Sequence, residues 1–284
     1  MARERFLRML LVCLLLAIVF GVVRYDRLHD PMMERGSLLR GHQTVLTSDE
    51  IWEAAKYDVE SAQQPVLSRE KIREVLAKFD IISFSELDNA YLSASDPDGK
   101  FRRQLVNAQY RIVKGRDMYQ YVVGKVRIKS FLCRDHFYAA NKEDLDANAS
   151  QFWLVEESLL YLILDFIQAL EEGGYDKYGF YVRESHRHPQ NNLDRRGASQ
   201  SLHIYGKAAD LVIQDINQDG LISQRDKDIG LKVLEDLVGD RGGVGLYPGT
   251  STIHIDTRGY RARWKSYKPA TDGSLLQKAF RYIR

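Results

Sequence analysis

The stretch Ser201–Asp210, SLHIYGKAAD, and the downstream stretch Ile253–Asp256, IHID, contain the side chains that decide how this chain is interpreted. Two imidazoles and a carboxylate, here His203, Asp210 and His254, form a ligand set that leaves the fourth position of a tetrahedral zinc ion open for water. Gly206 can turn the backbone between the first two ligands. The sequence therefore predicts a zinc site built from a histidine on a loop, an aspartate on a strand and a second histidine on another strand.

Asp256 is expected to lie next to this site. Residues two apart on a strand face the same side of a sheet, so Asp256 and His254 should be neighbours. A carboxylate in that position can orient the histidine or accept a proton. Both roles remain open at this point.

The first stretch resembles a known family, the M15-type zinc peptidases of bacterial cell walls. This family includes D-Ala-D-Ala carboxypeptidases and murein endopeptidases and is related in fold to the hedgehog signalling domain. Its pattern Ser-x-His-x-x-Gly-x-Ala-x-Asp is matched by Ser201, His203, Gly206, Ala208 and Asp210. The segment 184–192, ESHRHPQNN, is similar to the family's Ser-Gly-Tyr-Arg-x-Pro-x-x-Asn stretch at Arg187 and Pro189. The resemblance covers about residues 178 to 267 and is nearest to the murein endopeptidase branch.

The resemblance implies a zinc metallopeptidase that cleaves peptidoglycan stem peptides or cross-links, as a D,D- or L,D-endopeptidase or carboxypeptidase. It implies that His203, Asp210 and His254 bind zinc and that Arg187 pairs with a substrate carboxylate. Many members carry an acid as general base three residues before the final histidine, where this chain has Ser251. Asp256 is the nearest carboxylate in sequence. It either acts as the general base or orients His254. Ser251 also favours an alternative, a non-catalytic zinc-containing protein that binds the cell wall or acts as an envelope scaffold.

A calcium loop, residues 215–226 (DINQDGLISQRD), is predicted directly after the zinc motif. It resembles EF-hand and dockerin loops, in which oxygen ligands recur at fixed positions and a glycine at position 6 makes a sharp turn. The expected ligands are Asp215, Asn217, Asp219, the carbonyl of Leu221, Ser223 and Asp226. Ile222 is expected to pin the loop to the core. Calcium would then be structural, because the loop lies between Asp210 and His254.

The fold class expected is α+β, with a small antiparallel sheet and flanking helices in a peptidase domain at residues 131–284. Short strand-like runs occur at 178–183, 209–214, 244–247 and 252–257, and a helix is predicted at about 226–238. The apolar run from Phe152 to Leu170 is interpreted as one long core helix.

Residues 47–130 are predicted to form a mainly helical accessory region. Ser68 is expected to begin a helix, Ser83 with Glu86 has the spacing of a capping box, and residues 96–99 predict a turn.

An N-terminal signal anchor is predicted at residues 1–23, because an uncharged apolar run follows three arginines. We expect an uncleaved anchor, with a cleaved signal as the alternative, followed by a juxtamembrane linker at 24–46. The positive-inside rule then predicts a single-pass inner-membrane protein with its catalytic domain in the periplasm, next to its peptidoglycan substrate.

The composition excludes two protein classes. The chain has 41 basic and 39 acidic residues, so it lacks the positive excess of a nucleic-acid-coating protein. Its two cysteines, Cys13 and Cys133, do not support a disulfide framework, because Cys13 lies in the predicted anchor.

Overall fold

The computed structural model describes residues 63–133 and 150–266, which form a mixed α+β structure. The predicted anchor at 1–23 and linker at 24–46 lie outside the described residues. Among the helices that are described, none has the length and apolar character needed to cross a bilayer.

Within these ranges the α-helices are α1 Arg69–Leu76, α2 Asn89–Ser95, α3 Arg102–Leu105, α4 Glu157–Glu172, α5 Pro189–Asp194 and α6 Gln224–Val238. The strands are β1 Ile81–Ser83, β2 Gln109–Lys114, β3 Tyr121–Val123, β4 Val126–Arg127, β5 Ser150–Trp153, β6 Phe180–Glu184, β7 Ala208–Ile213, β8 Gly243–Leu246, β9 Thr252–Asp256 and β10 Ala262–Lys265. Short 3-10 helices occupy Phe84–Glu86, Gly115–Tyr119, Ile128–Ser130 and Leu202–Tyr205.

The central sheet has five strands in the order β10-β8-β9-β7-β6. The pairs β6/β7, β7/β9 and β8/β9 are antiparallel, as the sequence predicts, but β10 is parallel to β8. The expectation of a purely antiparallel sheet is therefore wrong at this edge. The reason is topological: β9 occupies one side of β8, and the chain returns from β9 along the other side, in the same direction as β8.

One face of the central sheet packs against helices α4 and α6. Alternate strand residues such as Leu211, Ile253 and Ile255 are fully buried in the largest hydrophobic cluster, together with Ile163 of α4 and Leu234 of α6. This alternation leaves the intervening positions of β7 and β9 on the opposite face. That second face carries the polar residues described below.

The local signals in residues 63–133 are confirmed. The Ser68 hydroxyl accepts a hydrogen bond from the amide of Lys71 (3.2 Å) and caps α1. Ser83 and Glu86 form the predicted capping box at the start of a 3-10 helix. The 96–99 turn is closed by the Gly99 amide, which donates to the Asp96 carbonyl (2.9 Å).

The apolar run that begins at Phe152 is not one helix. Residues 150–153 form strand β5, which pairs antiparallel with β2, and α4 begins only at Glu157. Phe152 and Trp153 face two different hydrophobic clusters, so both faces of β5 are buried. A strand buried on both faces has a continuous apolar sequence, which periodicity does not distinguish from a buried helix.

The described part of the predicted accessory region is packed into the same hydrophobic core as residues 150–266. Ile72, Val113 and Val122 belong to one hydrophobic cluster with residues of α4 and the central sheet. Strand β2 also lies between β1 and β5 in a three-stranded sheet. In the described residues, position 130 therefore does not mark a break in the hydrophobic core.

Gly206 fixes the position of the loop that carries His203. It ends the 3-10 helix Leu202–Tyr205 with φ +66°, and its carbonyl accepts the Glu156 amide (2.9 Å). A Cβ atom at this position would lie 2.5 Å from the Leu154 carbonyl oxygen. Both the backbone conformation and the close approach thus require glycine.

We expect Gly206→Ala to destabilise the fold more than Gly249→Ala. Gly249 also has a positive φ (+79°), but a Cβ there would meet no atom within 4 Å. The control should cost about 1–2 kcal/mol from backbone strain alone, and Gly206→Ala about 1–3 kcal/mol more because the Leu154 backbone must shift. Urea unfolding measures both losses. Equal losses would contradict the close-packing argument.

Candidate metal centre

The candidate site lies along a row of residues that crosses the central sheet. The strand register pairs Glu184 with Asp210, Asp210 with His254, His254 with Gly245, and Gly245 with Trp264. Directly opposed residues on paired strands lie on the same face of a sheet. The row therefore lies on the face opposite α4 and α6.

His203, Asp210 and His254 converge as the sequence predicts. His254 Nδ1 lies 3.0 Å from Asp210 Oδ1 and 3.2 Å from His203 Nε2, and His203 Nε2 lies 3.5 Å from Asp210 Oδ1. Ligands about 2.0–2.1 Å from a tetrahedral zinc ion are separated by about 3.3–3.4 Å. The triangle therefore fits one such ion. In the described part of the chain, this is the one group of three or more histidine, cysteine, aspartate or glutamate side chains whose ligand atoms all lie within 4.8 Å of one another.

His203 is oriented by the segment that follows β6. Its Nδ1 lies 2.5 Å from the Ser185 carbonyl oxygen. Because a carbonyl oxygen only accepts hydrogen bonds, Nδ1 must carry the proton and donate it. The Ser185 hydroxyl in turn donates to the Ala208 carbonyl (2.9 Å). The lone pair of His203 Nε2 is therefore directed toward Asp210 and His254.

Asp256 contacts His254 from the side away from the ligand triangle. His254 Nε2 lies 3.1 Å from Asp256 Oδ2. Arg258 donates to both oxygens of Asp256, from Nε (2.7 Å) and Nη2 (2.6 Å), and the Gly243 amide donates to Oδ1 (3.0 Å). Asp256 is fully buried.

These contacts bear on the role of Asp256. Burial raises the pKa of the Asp256 carboxyl, but the hydrogen bonds from Arg258 and His254 outweigh burial and hold the pKa far below its usual range. A strongly acidic carboxylate is a weak general base. Of the two roles left open by the sequence, the geometry favours that of orienting His254.

Arg187 lies inside the protein, against two carboxylates. Its Nη2 donates to Glu184 Oε2 (2.6 Å) and to Asp210 Oδ2 (3.1 Å), and the residue is 7% exposed. Glu184 is also buried, and its Oε1 lies 3.0 Å from Arg195 Nη1. The resemblance implies that Arg187 binds a substrate carboxylate, whereas the structure places its guanidinium against carboxylates of the protein itself.

The protonation of the triad follows from its surroundings. Burial raises the pKa of Asp210, but His203 and His254 outweigh burial and hold the pKa well below the usual value. Burial lowers the pKa of His203, and the nearby Arg187 lowers it further. Burial also lowers the pKa of His254, but hydrogen bonds with Asp210 and Asp256 reverse the effect and raise it. An anionic Asp210 and a neutral His203 are the forms that bind a cation.

The sequence interpretation missed several residues around the site. Trp264 packs against the His254 ring, with centroids 5.0 Å apart, in space that a side chain at Gly245 would fill. Its position depends on the parallel β8/β10 pairing, for which the sequence has no local signal. Arg258 follows Asp256 by two residues, a spacing that could have suggested the ion pair.

Among the unassigned histidines, His136 lies outside the described residues and His188 accepts the Asn191 amide (3.0 Å) as the N-cap of α5.

The segment predicted to bind calcium, residues 215–226, adopts the predicted turn. Gly220 has φ +86°, and Asp215 accepts the amides of Asp219 (3.0 Å) and Gly220 (2.8 Å). Asp226 accepts the amides of Asn217 (3.1 Å) and Ser223 (2.8 Å), which forms a capping box at the start of α6.

Two features of residues 215–226 differ from expectation. Ile222 is 57% exposed, so the prediction that it pins the loop to the core is wrong. The carboxylates of Asp215, Asp219 and Asp226 are not among the groups of the described residues whose ligand atoms lie within 4.8 Å. A bound calcium ion would therefore have to draw these side chains together.

We expect Arg187→Met to lower the free energy of unfolding of the metal-free protein by about 3–5 kcal/mol, because it leaves two buried carboxylates without their shared cation. Arg69→Met is the control: its ion pair with Asp165 is half-exposed (52% and 33%), and its loss should cost less than about 1 kcal/mol. Replacing Glu184 by Gln in the Arg187→Met background should recover part of the loss. Urea denaturation measures all three. If Arg187→Met and Arg69→Met lowered the free energy of unfolding by similar amounts, the buried ion pairs of Arg187 would not be important for the stability of the site.

Comparisons with protein-family models, with curated proteins and with solved structures find no match for this chain.

Proposed function

We propose that the protein is a zinc-dependent peptidase that cleaves peptidoglycan stem peptides or their cross-links. The observation that carries the proposal is the buried triangle of His203, Asp210 and His254, whose ligand atoms lie 3.0–3.5 Å apart. The resemblance of these residues to the M15-type pattern supports the choice of a peptide substrate.

Zinc is the metal that this donor set favours. Two imidazoles and one carboxylate are typical of catalytic zinc, which keeps its fourth position for water. Calcium and magnesium prefer sites made entirely of oxygen ligands. When bound, zinc lowers the pKa of its water to about 7 and polarises the scissile carbonyl.

The protein's own residues would bind the ion and orient its ligands. His203, Asp210 and His254 bind the ion, while the Ser185 carbonyl and Asp256 fix the two imidazole rings. Arg187 holds the outer oxygen of Asp210, so the inner oxygen stays directed at the histidines.

The cellular setting belongs to the same proposal. If residues 1–23 anchor the chain in the inner membrane, the catalytic domain lies in the periplasm, where its partner is peptidoglycan. We propose no nucleic-acid partner. The proposal includes D,D- and L,D-specific endopeptidase and carboxypeptidase activities.

A second candidate is a non-catalytic zinc-containing protein that binds the cell wall or acts as an envelope scaffold. One observation favours it: Ser251 stands where many relatives of the proposed family carry a general base, and the oxygens of Asp256 already accept hydrogen bonds from Arg258, Gly243 and His254. In that case zinc would be structural.

We expect the purified full chain to contain about one zinc ion and to release muropeptides from purified sacculi, with release lost on chelation and restored by zinc. His203→Ala and His254→Ala should lose both zinc and activity. His188→Asn is the control, because asparagine also caps helices and His188 lies outside the triangle. Mass spectrometry of the products identifies the bond. Full zinc content without muropeptide release would support the non-catalytic candidate.

We further propose that residues 215–226 bind calcium as a structural ion. The support is the ligand spacing, the turn at Gly220 and the loop's position between β7 and α6, two elements that pack against each other in the core. Calcium would neutralise Asp215, Asp219 and Asp226, whose negative charges otherwise repel one another.

Thermal unfolding of the zinc-loaded protein should therefore shift upward with calcium and much less with magnesium. With a dissociation constant of about 0.1 mM, typical of weak extracellular sites, 10 mM calcium would add roughly 2.7 kcal/mol of stability. Asp215→Asn with Asp219→Asn keeps the hydrogen-bond acceptors but removes two charges, so it should abolish the shift. Calcium-stripped protein whose melting curve does not respond to calcium would contradict the proposal.

A further inference from the structure

Strand β10 forms one edge of the central sheet. In the described residues it pairs only with β8, to which it is parallel. The Ala262 amide donates to the Gly242 carbonyl (3.1 Å), on the side of β8. Because successive peptide groups of a strand point to opposite sides, those of Arg263 and Lys265 are directed away from β8. The outer side of β10 therefore presents backbone donors and acceptors with the spacing that another strand would use.

A groove of about 270 Å³ lies along this edge, between β10 and α6. Its lining combines apolar and charged side chains, those of Val244, Leu246, Trp264, Glu235, Arg263 and Lys265. Arg263 and Lys265 oppose Val244 and Leu246 in the strand register, so these four side chains lie on one face of the sheet. A strand added next to β10 would place every second side chain on this face, beside the groove.

The charge of this edge is positive. The segment 258–265, RGYRARWK, contains four basic residues and no acidic one. Its arginines each face one carboxylate of a neighbouring segment: Arg258 faces Asp256, Arg261 faces Asp240, and Arg263 faces Glu235. The charge of Lys265, which is exposed at the end of β10, is then in excess. Complementary charge gives a binding surface both its specificity and its rate of association.

The same charge argues against pairing between two copies of this chain. In an antiparallel pair of β10 strands related by a twofold axis at Arg263, each Arg263 opposes its counterpart and Arg261 opposes Lys265. Like charges that are directly opposed across two strands are destabilising. Lysine on an edge strand is a common protection against such pairing. A strand with acidic side chains at alternate positions meets attraction instead of repulsion at this edge.

We propose that the outer edge of β10 binds an extended acidic peptide segment of a partner protein by strand addition. Backbone hydrogen bonds with Arg263 and Lys265 provide affinity, as in other peptides that extend a sheet. Acidic side chains at alternate positions of the peptide lie beside Lys265, on the face that carries the groove. The inference uses residues outside the ligand triangle and does not depend on the proposed peptidase activity.

The test measures binding of fluorescently labelled peptides to the purified full chain by anisotropy. The probe is the end-blocked peptide Thr-Glu-Thr-Glu-Thr-Glu-Thr, and the matched peptide carries lysine in place of glutamate. Wild-type protein should bind the glutamate peptide about threefold to thirtyfold more tightly, the range for one surface ion pair gained and one repulsion avoided.

Two backbone-methylated probes test strand addition itself. One carries methyl groups on the glutamate nitrogens and the other on the inner threonine nitrogens, so each lacks hydrogen-bond donors on one side of the peptide strand. Only one of the two should lose binding, because the other side of the added strand faces solvent. Loss with the glutamate set indicates an antiparallel added strand, and loss with the threonine set indicates a parallel one.

Lys265→Pro removes an outward amide of β10 and preserves its pairing with β8, because proline is tolerated on an edge strand where the N–H faces solvent. Lys265→Gln is the matched control, since it removes the same charge but keeps the amide. The glutamine variant should lose most of the preference for the glutamate peptide. The proline variant should bind that peptide about twofold to tenfold more weakly still, the range for one net hydrogen bond.

The inference is overturned if wild-type protein binds neither peptide or binds both equally, and the basic edge then serves only as protection against aggregation. Equal effects of the two methylation patterns, or equal binding by the proline and glutamine variants, would also overturn it. A dimer in sedimentation velocity that Lys265→Pro dissociates would assign the edge to a second copy instead. If the proline variant fails to fold, the methylated probes with wild-type protein still decide the question.

Discussion

The carboxylate of Asp210 is 1% exposed and is held on both sides. Its Oδ1 faces the two histidine nitrogens, and its Oδ2 faces Arg187. An unpaired carboxylate at such depth would cost several kcal/mol, so the fold must supply positive or hydrogen-bonding partners in both directions. The position of Arg187 depends on this requirement, as does that of Glu184, which shares the arginine. A bound cation would complete the compensation on the Oδ1 side.

The sheet meets this requirement because apolar and polar residues alternate along a single strand and so lie on opposite faces. In β9, Ile253 and Ile255 pack on the helical side, while His254 and Asp256 alternate with them on the other side. The row that carries His254 continues to Gly245, where the absence of a side chain lets Trp264 cover the imidazole. Apolar burial by α4 and α6 thus fixes the register, and the register brings Asp210 opposite His254.

Local sequence was sufficient for the ligands and insufficient for their surroundings. His203, Gly206 and Asp210 are close in sequence, and β9 alternates polar and apolar residues, so the convergence of the triad could be predicted. The burial of Arg187, the register shift in β6 between Val182 and Glu184, and the packing of Trp264 over His254 depend on which strands pair and in which register. Strand β5 was interpreted as helix because Phe152 and Trp153 are buried on opposite faces, which removes the alternation that identifies a strand.

Each ligand of the centre is fixed through its second polar atom. His203 uses Nδ1 toward the Ser185 carbonyl, His254 uses Nε2 toward Asp256, and Asp210 uses Oδ2 toward Arg187. The atoms left over are the three that form the triangle, so little side-chain entropy remains to be lost when a cation binds. Asp256 is itself held by the guanidinium of Arg258, which extends the fixed framework to a further shell of contacts. Because the three side chains are already ordered in this way, the site is suited to bind a cation tightly.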